Sequence, residues 1–288
     1  MLKEISFLSI CGMLGYGYPL GSLKRGINSS TAFLGADNGS IDPGAYYLGS
    51  GTGFVKPIQI RHDLEPALLA ARKYNISLII GSAGGSGAKP HVDSFLSILS
   101  DIAKKNELHF KLAVIYADID KQTVLQAYRK KKITPCENVK ELTEEQIYRC
   151  NRIVAQMGTA PIIKALSGGA DVIIAGRCCD TAIFAALPIM QGFDKGLALH
   201  CGKIAECGAL CATPAGANDS LRITLRKDHF IVEPVNHERR CTPGSVAAHS
   251  LYEQSDPQCF FEPEGKVDIS ESQFEQYGTR SVKVSHTI

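Results

Sequence analysis

Apolar and polar positions alternate along the chain in a recurring unit. A short apolar, β-branched run is followed by glycine or polar residues and then by an amphipathic segment. The clearest runs are residues 77–87 (SLIIGSAGGSG), 111–120 (KLAVIYADID) and 170–180 (ADVIIAGRCCD), with weaker ones at 3–12 and 31–40. Stretches such as LAVIYA and DVIIAG are apolar on both faces, the pattern of a parallel strand covered by helices on each side. Helical periodicity fills the intervals at 62–74, 90–105, 121–132, 142–157, 181–191 and 197–212. In the second of these, Val92, Phe95, Ile98, Leu99 and Ile102 make one stripe. Thr143 reads as an N-cap, with acids in the turn that follows.

Five such units through about residue 215 predict an α/β fold: a Rossmann-like, mostly parallel sheet with helices on both faces. After that point the texture changes. Residues 221–235 alternate like a hairpin or edge-strand pair, 243–254 look helical with Thr242 as cap and Pro243 at the first helical position, and 258–288 look β-like. This predicts a domain over 1–215 and a smaller α+β extension over 216–288, with the chain stopping inside a β-like stretch.

Composition narrows the picture. The chain has 288 residues, 44% hydrophobic and 21% charged, enough to bury a sizeable core and unlike a disordered or fibrous protein. A net charge of +2 gives no reason to expect nucleic acid or a membrane surface as partner. No apolar run approaches 18 residues and no cleavage site follows the N-terminus, so the expectation is a cytoplasmic protein whose ten cysteines are free thiols.

In open α/β sheets, ligands bind beyond the carboxyl ends of the strands. Those ends carry Asp37, Ser40 and Asp42 after the second strand, and Gly81, Ser82, Gly84, Gly85, Gly87 and Lys89 after the third. Asp118 and Asp120 follow the fourth, and Arg177 and Asp180 the fifth. Glycine amides at a helix start form an anion nest, to which Lys89 or Arg177 adds charge; the alternative is a turn that only lets helix and strand pack closely. The loop ends Gly87-Ala88-Lys89-Pro90, which is not a Walker loop, and no acid stands at the spacing a dinucleotide site requires. No NAD, FAD or ATP is therefore expected. Asp37, Asp42 and His200 are candidate acids or bases, and Asp118 and Asp120 candidate oxygen ligands for an optional Mg²⁺. Asp118, Asp120 and Asp180 are equally candidates for helix caps.

His200, Cys207 and Cys211 fall on one stripe of the helix expected over 197–212. His200 and Cys207 would stand roughly 10 Å apart along its axis, too far to share one ion, so no zinc is expected. Lys203 and Glu206 flank His200. Arg239 and Arg240, just before a helix start, are candidates to grip a carboxylate or simply a solvated loop.

Residues 35–49 (GADNGSIDPGAYYLG), 79–91 (IIGSAGGSGAKPH), 170–189 (ADVIIAGRCCDTAIFAALPI), 197–210 (LALHCGKIAECGAL) and 238–253 (ERRCTPGSVAAHSLYE) resemble, in this order, the acyclic terpene utilisation family AtuA. Cys179 and Cys211 depart from that family's pattern. The resemblance implies a role in breaking down citronellol and geraniol through acyl-CoA intermediates. More generally, it implies an enzyme or enzyme subunit acting on a small carboxylate or acyl-CoA. Family members are commonly longer, often with a ferredoxin-like C-terminal domain, so a fragment, or a homo-oligomer or partner-subunit arrangement, is expected. A lyase- or hydratase-type enzyme without redox cofactor is the first reading. A non-catalytic acyl-binding or scaffold subunit is the alternative.

Overall fold

The computed structural model describes residues 3–136 and 139–288. Strands β1 (Glu4–Ser9), β2 (Thr31–Asp37), β3 (Ser77–Gly81), β4 (Leu112–Ile115) and β5 (Val172–Ala175) lie parallel in the order β1-β2-β3-β5-β4. They are the five runs read from the sequence. Both faces of the inner strands are apolar because both are covered. Leu8, Leu34, Leu78 and Ile174 pack with α1 (Leu20–Gly26), α3 (Pro57–Lys73) and α4 (Lys89–Lys105), while the short α2 (Ala45–Ser50) lies in the connection before α3. Phe7, Phe33, Ile79 and Ile173 pack on the other face with α7 (Thr159–Ser167), α8 (Asp180–Met190) and α9 (Lys195–Ala205). Phe7 stacks at 4.8 Å from Phe33 and 5.8 Å from Phe184, all fully buried. Each such side chain contributes roughly 1.5–3 kcal/mol by leaving water.

β4 differs from expectation. Its run is as apolar as β5, yet it forms the edge of the sheet with Leu112 40% exposed, because β5 inserts between β3 and β4. The helix expected over 142–157 also shortens. α5 (Lys121–Arg129) is followed by α6 (Glu144–Arg149), which starts at the Thr143 cap with a capping box to Gln146 and ends after two turns. Residues 153–157 are instead drawn out by backbone hydrogen bonds to Ala117, Ile119 and Arg177. This pairing overrides their helical periodicity.

The chain after residue 216 extends the same sheet. β6 (Leu221–Arg226) pairs antiparallel with β1, then β7 (His229–Pro234), β11 (Ser281–Ser285) and β10 (Gln273–Tyr277) follow outward, giving nine strands in one mixed sheet. α10 (Pro243–Ser250) begins at Thr242, whose hydroxyl accepts the Ser245 amide. β8 (Cys259–Glu262) and β9 (Gly265–Asp268) make a separate hairpin. No helix among the described residues is long and apolar enough to cross a membrane.

Candidate functional site

A cavity of about 650 Å³ opens beyond the carboxyl ends of β1, β2 and β5. The turn after β1 supplies Met13 and Tyr16, the loop after β2 supplies Ser40 and Asp42, and the loop after β5 supplies Arg177, Cys179 and Asp180. Lys203 and Glu206 enter from the end of α9, Tyr252 from beyond α10, and Phe261 and Glu262 from β8. The site therefore draws on both ends of the chain.

Its floor is a buried charged network. Lys203 Nζ donates to Glu206 Oε1 at 2.6 Å, with both side chains under a tenth exposed. Thr181 Oγ1 lies 3.0 Å from Glu206 Oε2 and 2.9 Å from Glu262 Oε1, and the Cys179 thiol donates to Glu262 Oε2 at 2.6 Å. One hydroxyl hydrogen cannot serve both acids at once, so a second proton resides on one of the carboxyls or the pair stays under-bonded. Arg177 Nη2 stands 3.8 Å from Asp180 Oδ1, while its Nη1 is buried with no hydrogen-bond partner. Beneath the loop after β2, Asp37 Oδ2 accepts the Gly39 amide at 3.0 Å, and its Oδ1 is likewise buried without a partner.

Four carboxyls thus stand near two cations, and burial disfavours their charged forms. Burial pushes Glu262 up to about 7, with Glu206 adding to the shift. It pushes Asp37 up to about 6 against the opposing pull of Arg177. Asp180 rises well above the ordinary range through burial and the charges of Asp37 and Glu206. Glu206 also rises by burial, against the attraction of Lys203. Burial opposes the charge on Lys203, but the pairing with Glu206 more than offsets it. The thiol of Cys179 is driven up by burial and by Glu262, so it acts here as a hydrogen donor rather than a nucleophile.

The residues expected from sequence divide. Ser40, Asp42, Arg177 and Asp180 line the cavity, and Asp37 lies against its Arg177 from below. The others do not line it. His200 is fully buried, with Nδ1 2.7 Å from Thr287 Oγ1 and Nε2 2.9 Å from Ser250 Oγ. It sits among Phe230, Phe260 and Phe274, and burial lowers it to about 3, so it is a neutral core histidine. Lys89 is exposed and pairs with Asp93 at 2.8 Å. Asp118 accepts the Lys89 amide at the start of α4, and Asp120 caps α5 through the Thr123 amide, so both carboxylates serve helix ends.

The glycine-rich loop packs rather than cradles. The amides of Ser82, Ala83, Gly84 and Gly85 donate to Gly176 O, Ala175 O, Asn38 Oδ1 and Ser82 O, leaving none of the four for an anion. Gly81 accepts the Asn38 amide through its carbonyl. Gly84 and Gly87 have φ of +77° and +70°, and a Cβ at Gly87 would collide with the Arg177 amide nitrogen. The loop's service to the site is indirect: the Arg177 amide donates to Gly87 O, which fixes where the guanidinium starts. Arg239 is likewise held, at 2.9 Å from the buried Asp219 carboxylate. α9 ends before Cys207 and Cys211, and Cys211 Sγ lies 4.0 Å from Cys241 Sγ. Among the described residues no group of three His, Cys, Asp or Glu is arranged to hold a metal ion.

In the sequence, Lys203 and Glu206 stand out only as neighbours of His200. Their i, i+3 spacing at the end of a helix was the available signal for an ion pair. Glu262 carried none: its neighbours Cys179 and Thr181 are 83 and 81 residues away.

The model of one protein family, the acyclic terpene utilisation family protein AtuA, matches residues 50–220. No curated protein and no solved structure matches the chain. The matched span runs from the end of α2 through β3, β4, β5, α8 and α9, and so includes Arg177, Asp180, Lys203 and Glu206. It covers more than half of the 288 residues, and the chain belongs to the AtuA family of acyclic terpene utilisation.

Proposed function

We propose that the chain is a lyase- or hydratase-type enzyme, or the acid–base subunit of one, acting on a small carboxylate or acyl thioester in terpene or related acid catabolism. The observation that carries this reading is the meeting of Glu262, Asp180 and Arg177 on one cavity. Burial holds Glu262 near neutrality, where a carboxyl exchanges protons most effectively. Arg177 brings an unpartnered buried donor to the same space. The parallel strands with helices on both faces support a Rossmann-like reading of the fold and the placement of its ligand at the strand ends.

The chemistry these groups support is proton transfer beside a carbonyl. The Glu262 carboxylate takes the α-proton: the C–H bond breaks, an O–H bond forms, and the electron pair moves onto the carbonyl oxygen. Arg177 faces that developing negative charge, where a fixed donor in a dry site is most effective. The electron pair then returns to form the Cα–Cβ double bond as the Cβ–O bond breaks, and Asp180, pushed well above the ordinary carboxyl range by burial and its acidic neighbours, gives its proton to the departing hydroxyl, which leaves as water. The Lys203–Glu206 pair and Thr181 hold Glu262 in place.

The test is single substitution of Asp37, Asp180, Arg177, Lys203 and Glu262, each assayed against short and branched acyl-CoA and dicarboxylate substrates. Loss of turnover by about 10² or more at Glu262 and Arg177, with the fold intact, supports the reading. A wild-type chain that binds acyl ligands but turns over none of them, alone or with a partner subunit, contradicts it.

A further inference from the structure

A second cleft, of about 290 Å³, lies at the same edge of the sheet but on the α1 face, opposite α8 and α9. It is lined by Arg25 of α1, Arg222 of β6, Glu233 of β7, His237 and Arg280. Arg222 and Glu233 are cross-strand partners, and Arg222 is also opposite Leu8, whose side chain packs toward α1, so both stand on this face.

Three guanidinium groups here face one carboxylate. Arg280 Nη1 donates to the carbonyls of Asn236 at 2.8 Å and Arg239 at 3.2 Å, while its Nη2 lies 3.6 Å from Glu233 Oε1. Arg222 donates to the Gly26 carbonyl and, at 3.4 Å, to Asn28 Oδ1; neither partner is charged. Arg25 reaches only Ser22 Oγ, at 3.4 Å, and forms no ion pair among the described residues. These carbonyl contacts orient the guanidinium groups without neutralising them. Three positive groups converging on one cleft with one partly exposed acid leave two charges uncompensated, the complement of a phosphate dianion, whose oxygens match the guanidinium fork.

We propose that this cleft is a phosphate-binding site, separate from the acid–base cavity and independent of the function assigned to it. Its ligand is a phosphoryl group, either a free ion or the handle of a nucleotide.

The test is a ³¹P NMR titration of the full chain with inorganic phosphate and, separately, with adenosine 3′,5′-bisphosphate. Arg25→Gln removes an exposed guanidinium that supports no other element. Glu233→Gln removes the competing acid. Saturable binding is expected in the wild type, weaker by about tenfold in Arg25→Gln, as for one lost charge-assisted hydrogen bond, and tighter in Glu233→Gln. Tighter binding of the bisphosphate than of phosphate assigns the source to a nucleotide handle, and equal binding assigns it to the free ion; either supports the site. No saturable binding of either probe below about 20 mM, or an Arg25→Gln variant that binds as well as the wild type, overturns it.

Discussion

The Cys179 thiol donates to Glu262 Oε2 at 2.6 Å across 83 residues of sequence. This contact joins the loop after the last parallel strand to a hairpin near the end of the chain, and it completes the cavity. Two residues on, Glu264 accepts the Thr159 hydroxyl at 2.7 Å, together with the Thr159 amide. The β8–β9 hairpin is thus clasped to the starts of two helices by two acids, and one of those acids faces the cavity.

Glu262 should make its own mark on stability against pH. Burial raises it from its ordinary 4.5 to about 7, so the folded state keeps a proton that the unfolded chain releases. Its contribution is full below pH 4.5 and is lost as the pH rises through 7. Glu262→Gln removes that loss. Urea unfolding of both proteins should show the variant gaining on the wild type between pH 4.5 and 7, by on the order of 2 kcal/mol. Parallel curves would mean that Glu262 is ionised and solvated in the fold.

His200 should behave as a core residue. Burial depresses it from 6.5 to about 3, so its contribution is complete above pH 6.5 and is lost as the pH falls toward 3. His200→Ala leaves the Ser250 and Thr287 hydroxyls without their partner and opens a cavity among three phenylalanines. A loss of about 2–4 kcal/mol is expected, with turnover per folded molecule nearly unchanged. A stable variant with turnover reduced 10²-fold would return His200 to the chemistry.

Gly87→Ala should be costly and should reach the site. The residue sits at φ +70°, and the added Cβ would meet the Arg177 backbone. The strain alone is worth about 1 kcal/mol, and the clash adds to it. Thermal denaturation should show a drop of several degrees, together with weaker acyl-ligand binding as Arg177 is displaced. An unchanged melting temperature would remove the loop's role in placing Arg177.

The parallel half of the fold was legible because its signals are local. β-branched runs followed by glycine or polar residues marked five strands, and Thr143, Asp120 and Thr242 cap helices as their sequence positions suggest. Strand order was not legible: nothing in LAVI against VIIA says which lies at the edge, since both runs are apolar throughout while only the second is buried. That Arg177, Asp180, Ser40 and Asp42 line one cavity was legible because the loops after parallel strands gather at one end of the sheet. Glu262 was hidden because a long-range hairpin carries it in. His200 misled because a helical stripe does not reveal that α9 is buried on every side from Leu197 to Ala205.

The proposed chemistry is that the cavity holding Glu262 and Arg177 moves a proton next to a carbonyl. Its most direct measurement is ¹H NMR of solvent deuterium uptake at the α-carbon of short and branched acyl-CoA substrates incubated with the protein in D₂O. Enzyme-dependent exchange is expected in the wild type, reduced about 10²-fold or more in Glu262→Gln and in Arg177→Met with the fold retained. Exchange that persists in Glu262→Gln, or a folded wild-type protein that promotes none with any of these substrates, would contradict it.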